Sequence, residues 1–75
     1  MKRKTGREYL AQNLKHFRQV LGWSQEYLAL EAGLHRTFVA HVERCARNIS
    51  LDNIDKLAIA LRKPTYELLV DPGPH

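Results

Sequence analysis

The amino-acid sequence predicts an all-α fold, a bundle of five helices arranged around a central pair of short helices joined by a tight turn. Apolar residues recur at spacings of three and four along most of the 75-residue chain, which is the period of an α-helix. Residues that favour helix N-caps stand before three of the periodic segments: Thr5, Ser24 and Ser50. Residues that end helices follow three segments: Gly22, Gly33 and Pro64. No strand is predicted.

Length and charge limit the classes of protein to which the chain can belong. Seventy-five residues make one domain that buries only roughly 60–65% of its unfolded surface, so a partner subunit would help to stabilise it. Twelve Lys and Arg residues against eight Asp and Glu residues give a net charge of +4, which suits nucleic acid. Charge alone leaves a membrane surface open as an alternative partner.

The location of the protein is predicted from what the sequence lacks. Residues 1–8 contain no apolar segment of the kind that a secretory signal requires. The longest apolar run, at 57–61, is far shorter than the roughly 20 residues that span a bilayer. The single cysteine, Cys45, cannot form an intrachain disulfide, so the chain does not need an oxidising compartment. We therefore expect a cytoplasmic protein.

The first helix is predicted to begin near Gly6 and to end at Gly22. Thr5 and Glu8 stand three residues apart, as in a capping box. Its apolar residues follow at helical spacing: Leu10, Leu14, Phe17 and Leu21. This spacing predicts one buried stripe along the helix.

The central pair of helices occupies residues 23–44. Ser24 is predicted to cap its first helix, which starts at Gln25 and ends where Gly33 can adopt a left-handed conformation. The second helix is predicted over 36–44, with Phe38, Val39 and Val42 on its apolar side. The opposite side carries Arg36, Thr37, Ala40, His41 and Arg44. This helix therefore presents hydrogen-bond donors outward from an apolar back.

Two further helices complete the predicted bundle, which covers residues 6–70. After a loop at 45–49, Ser50 is predicted to cap the fourth helix, which ends at Arg62 and Lys63 before Pro64. Its apolar residues are Leu51, Ile54, Leu57, Ala58 and Leu61. Thr65 is predicted to cap a fifth short helix over 66–70.

Both ends of the chain are predicted to lie outside the bundle. Residues 1–5 form a flexible basic arm that contains Lys2, Arg3 and Lys4. This arm is interpreted either as a frayed, solvated terminus or as an arm that follows a DNA backbone or minor groove. Residues 71–75, rich in proline and glycine, are predicted to be a disordered tail.

Three segments carry a resemblance to a known family: SQEYLA, AGLHRTFV and ERCARNISLDNIDKLAIAL. In this order and at these separations they resemble the Cro/phage-repressor (XRE-type) helix-turn-helix family, and the resemblance covers residues 14–69. The RTF and ER-x-x-RN sequences look most like the small controller proteins of restriction–modification systems. The resemblance implies a phage-repressor-like fold and a homodimeric transcriptional regulator that binds a (pseudo)palindromic DNA operator. Contact with RNA polymerase beside the operator would allow activation.

The resemblance and the helical wheel together predict the residues that contact DNA. The base-contacting residues are predicted to be Arg36, Thr37, Ala40 and His41. The phosphate-contacting residues are predicted to be Gln25, Arg44, Arg47, Asn48 and Ser50. For Arg36 the alternative is a solvated surface arginine. For the last four phosphate candidates it is a capped helix after a polar loop.

The resemblance also predicts residues with structural roles. Arg18 and Glu43 match positions that form a partly buried ion pair in the family. Tyr66, Leu69 and Val70 are the predicted dimer interface, with packing of Leu69 beneath the fourth helix as the alternative.

Two residues depart from the family pattern, one at each end of the second helix of the central pair, which corresponds to the recognition helix of the family. Cys45 replaces a usual glycine, so a left-handed backbone there would cost about 1–2 kcal/mol. His35 replaces a common small capping residue, and we expect it to weaken the N-cap. Cys45 is interpreted as a plain thiol, with a redox sensor as the alternative.

A protein-interaction module of the antitoxin type is the alternative function. Such a protein would neutralise a toxin and bind DNA secondarily, but only residues 71–75 follow the last predicted helix. No enzyme is predicted, because the sequence contains no recognisable catalytic grouping. No cofactor is predicted, and no metal site, since the four histidines lack the spacing of metal ligands.

Overall fold

The computed structural model describes residues 4–46 and 48–72. These ranges contain α1 (Gly6–Val20), α2 (Gln25–Ala32), α3 (Arg36–Glu43) and α4 (Leu51–Leu61), followed by a 3-10 helix (Thr65–Leu68). The described part of the chain is therefore all-helical, as predicted. The predicted arm at 1–5 and tail at 71–75 lie largely outside the described residues.

The predicted fifth α-helix is wrong, because the described chain has four α-helices and a single 3-10 turn in its place. The Thr65 side chain does not cap this turn. Its hydroxyl instead donates a 2.7 Å hydrogen bond to Asp55 Oδ1 on α4. Without an N-cap, and with only four residues, the segment cannot close the i to i+4 bonds of an α-helix.

The core lies where the four α-helices and the 3-10 helix meet. The α2 helix packs on α3 and α4, α1 packs on α3, and the 3-10 helix packs on both α1 and α4. The buried apolar side chains of this cluster are Leu10, Leu14, Leu28, Ala29, Val39, Val42, Ile54, Leu57, Ala58, Leu61 and Leu68. The buried side of the α2–α3 pair therefore packs against α1 and α4.

Side-chain caps fix the starts of all four α-helices. Thr5 and Glu8 form the predicted capping box, and the hydroxyls of Ser24 and Ser50 accept backbone N–H groups of α2 and α4. The expectation of a weak N-cap stays a prediction, but a cap is formed by His35. Its Nδ1 atom accepts the backbone N–H of Thr37 at 3.2 Å, so the imidazole does the work of a small capping side chain.

Two residues predicted to be buried are exposed. Leu21 is 47% exposed, because α1 ends at Val20 and the chain turns at Gly22, which has a φ of 71°. Leu51 is 65% exposed because it is the first residue of α4, at the edge of the packed face. The buried stripes are therefore shorter than the apolar periodicity of the sequence.

In the described part of the chain, two residues other than glycine have left-handed backbone. Cys45 has a φ of 56° just after α3, and Arg62 has a φ of 58° at the C-cap of α4. Arg62 was predicted to be a cation of the last turn, but it forms the turn that follows the helix. Both positions carry the strain that a Cβ atom causes in this conformation.

Within residues 4–46 and 48–72, none of the helices combines the length and the apolar character that crossing a bilayer requires.

Candidate nucleic-acid interface

The α3 helix has a buried back and an accessible front. Val39 and Val42 are buried in the core, whereas Arg36 and Thr37 are exposed. Ala40 and His41, one turn further along, are half-buried. Because positions i, i+1, i+4 and i+5 share one side of a helix, the four predicted base-contacting residues lie on the same side of α3.

The N-terminus of α3 is ordered by its own cap. His35 Nδ1 lies 2.8 Å from the hydroxyl oxygen of Thr37 and accepts the backbone N–H of the same residue. The exposed Thr37 side chain is therefore held next to His35 at the start of the helix. Its methyl group is free of this hydrogen bond, so an apolar contact with DNA does not require the cap to break.

Arg36 contacts an acidic residue that the sequence patterns did not single out. Its Nη1 atom lies 3.5 Å from Oε2 of Glu26 in the first turn of α2, and both side chains are about 70% exposed. An exposed pair of this kind contributes only about 0–1 kcal/mol, so an incoming ligand can replace it at little cost. Ten residues separate the partners, which is why no local spacing predicted the contact.

The second turn of α3 carries another contact between predicted DNA-binding side chains. Arg44 Nη2 donates to His41 Nδ1 at 2.9 Å. Since an arginine only donates, His41 accepts at this nitrogen. Both side chains are thus held together at the C-terminal end of the helix.

A buried ion pair clamps the end of α3 to α1. Arg18 Nε donates to Glu43 Oε2 at 2.7 Å and Nη2 donates to Oε1 at 3.0 Å, which makes the bidentate contact favoured by a guanidinium. The side chains of Arg18 and Glu43 are only 12% and 4% exposed. The hydrogen bond to the Glu43 carboxylate raises the pKa of Arg18. The ion pair expected between these two residues is therefore present.

The same clamp includes the start of α2. Arg18 Nη1 donates to the Trp23 carbonyl at 2.8 Å, and Gln25 Nε2 donates to Glu43 Oε1 at 3.0 Å. One hydrogen of the Gln25 amide is used by Glu43, and the second is left for another acceptor. The predicted phosphate contact of Gln25 is therefore chemically compatible with its place in the clamp.

The other predicted phosphate contacts lie around the start of α4. Asn48 and Ser50 are exposed there, and Ser50 Oγ accepts the backbone N–H of Asn53 at 3.1 Å. Exposed N–H groups at a helix N-terminus favour anions. Arg44 is exposed at the end of α3, and Arg47 lies outside the described residues.

The predicted dimer residues are accessible. Tyr66, Leu69 and Val70 are 66%, 36% and 45% exposed. The neighbouring Leu68 is fully buried in the core, whereas Leu69 is only partly covered, so packing of Leu69 beneath α4 stays an alternative.

Comparison with known proteins agrees with this geometry. The family described as "Helix-turn-helix" matches residues 14–68, which span the clamp, the recognition helix and α4. The chain belongs to this helix-turn-helix family. The match includes all of α2 and α3, the pair that gives such families their name.

Three relatives of this helix-turn-helix chain are regulators by name. A hypothetical transcription factor of Neisseria meningitidis serogroup B is 52% identical over 66 residues, which cover 88% of this chain and 62% of that protein. Control protein C.SmaI of Serratia marcescens is 42% identical over 67 residues, covering 89% and 80% of the two chains. The crystal structure of the restriction–modification controller protein C.AhdI from Aeromonas hydrophila is 47% identical, with a TM-score of 0.79 over 83% of this chain and 94% of that one.

The names of these relatives test the predicted likeness to controller proteins of restriction–modification systems. The chain spans 62% of the length of the Neisseria relative and most of the two controller proteins. The predicted likeness to controller proteins is thus confirmed, and none of the three is named as an antitoxin. The antitoxin alternative gains no support.

Proposed function

We propose that the chain is a sequence-specific transcriptional regulator that binds a (pseudo)palindromic DNA operator as a homodimer. It acts as a restriction–modification controller or as an autoregulatory repressor. The observation that carries this proposal is the recognition helix itself. The α3 helix buries Val39 and Val42, exposes Arg36 and Thr37, and is clamped at its end by Glu43. The names of the controller relatives support the same function.

Arg36 contacts a base in this proposal. A guanidinium can donate two parallel hydrogen bonds to O6 and N7 of guanine, which discriminates against other bases by about 1–3 kcal/mol. The exposed contact with Glu26 is weak enough to exchange for this one. Ala40 and the Thr37 methyl group are suited to a thymine methyl group, and His41 lies one turn further along the same side.

Phosphate contacts orient the helix in the groove. The second hydrogen of the Gln25 amide and the N–H groups at the start of α4, beside Asn48 and Ser50, donate to the DNA backbone. Arg44 adds positive charge at the end of α3, and Arg47, three residues later in the sequence, contributes a further phosphate contact. Such contacts add affinity on any DNA sequence and therefore set the orientation of α3 more than its specificity.

Regulation follows from occupancy of the operator. A dimer on a promoter represses, and a dimer beside a promoter that touches RNA polymerase activates. The occupancy of the operator then responds to the concentration of the regulator itself. The exposed Tyr66, Leu69 and Val70 supply the dimer face.

The substitution Arg36→Ala tests the assignment of base contact. On DNA selected from a random pool by the wild-type chain, the variant should lose about 1–3 kcal/mol of binding free energy, or roughly 5- to 150-fold in Kd. On random DNA of the same length and at the same salt concentration it should lose much less. Fluorescence anisotropy with both DNAs measures the difference.

The matched control is Arg62→Ala, which also removes one arginine charge. Arg62 lies at the C-terminal end of α4, whereas Ser50 and the proposed phosphate contacts lie at its N-terminal end. This variant should change binding to both DNAs equally and slightly. Equal losses on selected and random DNA for Arg36→Ala would exclude base contact by this arginine.

A further inference from the structure

Asn13 is a buried polar side chain in the core of the bundle. It lies on α1 among Leu10, Ala11 and Leu14, and only 4% of its surface is exposed. Its Nδ2 atom donates to the carbonyl of Leu68 at 3.0 Å and to the carbonyl of Val70 at 2.7 Å. Both hydrogens of the amide are therefore used, and both acceptors belong to a segment more than fifty residues away.

The segment that accepts these bonds has little regular structure of its own. It contains a 3-10 helix of four residues without a side-chain cap. Leu68 is buried in the core, and Thr65 donates to Asp55 before it. The Lys63–Glu67 pair is long, at 3.9 Å, and is partly exposed. The bond from Asn13 to Val70 joins the chain after Leu68 to the middle of α1.

The same segment carries the proposed dimer face. Asn13 binds the carbonyls of Leu68 and Val70, and Leu69 lies between them. Tyr66 lies two residues before Leu68. We propose that Asn13 is a positioning residue for self-association, which fixes this segment on α1 and presents Tyr66, Leu69 and Val70 as a preformed face. This inference rests on the proposed homodimer. Without these two hydrogen bonds, part of the free energy of association is used to order the segment, so the dimer is weaker.

Several titratable groups lie near Asn13 on α1 and on the C-terminal segment. His16 of α1, Glu67 of the 3-10 helix and Asp71 beyond it line the shallow cleft next to Asn13. Lys63 lies with its ammonium 4.9 Å from the centre of the Phe17 ring, which also lines this cleft. The pH dependence of the dimer Kd in an Asn13 variant must therefore be compared with that of a variant that keeps Asn13 as well as these groups.

The substitution Asn13→Asp tests the inference. It keeps the size of the side chain but turns a carboxylate towards two carbonyl oxygens, so both hydrogen bonds are lost. At about pH 8 the dimer Kd should rise about tenfold or more, as expected for buried acceptors left without a donor. Amide hydrogen exchange should accelerate in residues 66–72, while residues 25–43 keep their protection. Sedimentation equilibrium and exchange mass spectrometry supply the two measurements.

A pH profile separates a hydrogen bond from a general loss of packing. At about pH 5 a carboxyl group with two carbonyls beside it takes up a proton and can donate one bond, so Asn13→Asp should recover part of its dimer affinity. Asn13→Leu, which has no proton to donate at any pH, should have a raised Kd at both values. A Kd for Asn13→Asp that stays equally raised at about pH 5 would overturn the inference.

Two controls complete the design. Gln12→Glu makes the same charge change at the exposed neighbouring residue, so it controls for the added charge alone and should leave the Kd unchanged. Tyr66→Ala should raise the Kd without releasing the segment. If amide exchange in Asn13→Asp is faster but its dimer Kd equals that of Gln12→Glu, the inference about Asn13 is overturned. The proposal of a homodimer is not affected by that result. A wild-type chain that is monomeric at every concentration overturns both.

Discussion

At the scale of single residues, the two ends of α3 differ in how the chain accommodates an unusual residue. His35 closes the N-terminus through its imidazole nitrogen. Cys45 follows the C-terminus with a φ of 56°, where a Cβ atom costs about 1–2 kcal/mol. The helix is thus well capped at its start and strained just after its end.

The strain predicts that Cys45→Gly stabilises the fold. Glycine removes the Cβ penalty of about 1–2 kcal/mol but adds unfolded-state entropy worth about 0.5–1 kcal/mol. The free energy of unfolding should therefore rise by roughly 0.5–1 kcal/mol, measured by urea denaturation. Cys45→Ala keeps the Cβ atom and removes the thiol, so it should stay close to wild type. Equal stabilities of the two variants would contradict the account of strain.

Several single residues could not be predicted from local patterns. Asn13 looks like a polar interruption in α1, and its acceptors lie 55 and 57 residues away. Glu26 and Arg36 meet across the turn between α2 and α3. The pairing of Arg18 with Glu43 was expected from family resemblance, because a separation of 25 residues has no signal in helical periodicity.

At the scale of elements, the recognition helix depends on the clamp at its end. Glu43 accepts two bonds from Arg18 and one from Gln25, so a single carboxylate ties together α1, α2 and α3. Removing one partner of such a pair leaves the other charge buried without compensation. The clamp therefore stabilises the fold and orients α3 at the same time.

The clamp predicts a large loss of stability for Glu43→Gln. The free energy of unfolding should fall by about 3 kcal/mol, because Arg18 then carries an uncompensated charge in a mostly buried place. The matched control is Glu67→Gln, which breaks the long, partly exposed pair with Lys63 and should cost no more than about 0.5 kcal/mol. Urea denaturation of both variants measures the difference, and similar losses would mean that the clamp is no stronger than a surface pair.

Most elements were predictable because their signals are local. Thr5, Ser24 and Ser50 stand four or five residues before the first apolar residue that each helix buries, and the starts of α1, α2 and α4 lie where these caps predict. The last element was not predictable, because the hydroxyl of Thr65 binds Asp55 instead of its own turn. Tertiary contacts of this kind have no counterpart in capping patterns.

At the scale of the whole molecule, α1 connects the two proposed working surfaces. Arg18 near its end holds α3 through Glu43, and Asn13 in its middle holds the carbonyls of Leu68 and Val70. In the proposed dimer, α1 together with α4 therefore contributes to the angle between α3 and the dimer face. In a symmetric dimer this angle sets the distance between the two recognition helices, and hence the spacing of the half-sites on DNA.

Selection of bound DNA from a random pool, followed by sequencing, tests the central proposal most directly. The wild-type chain should enrich one symmetric motif of two half-sites, with a single fixed spacing of roughly 34–36 Å, or about 10 base pairs, between their centres. Its most selective positions should include guanine, the base suited to Arg36. A pool without an enriched motif, or half-sites retained at any spacing, would contradict a dimeric regulator that holds its recognition helices in one fixed arrangement.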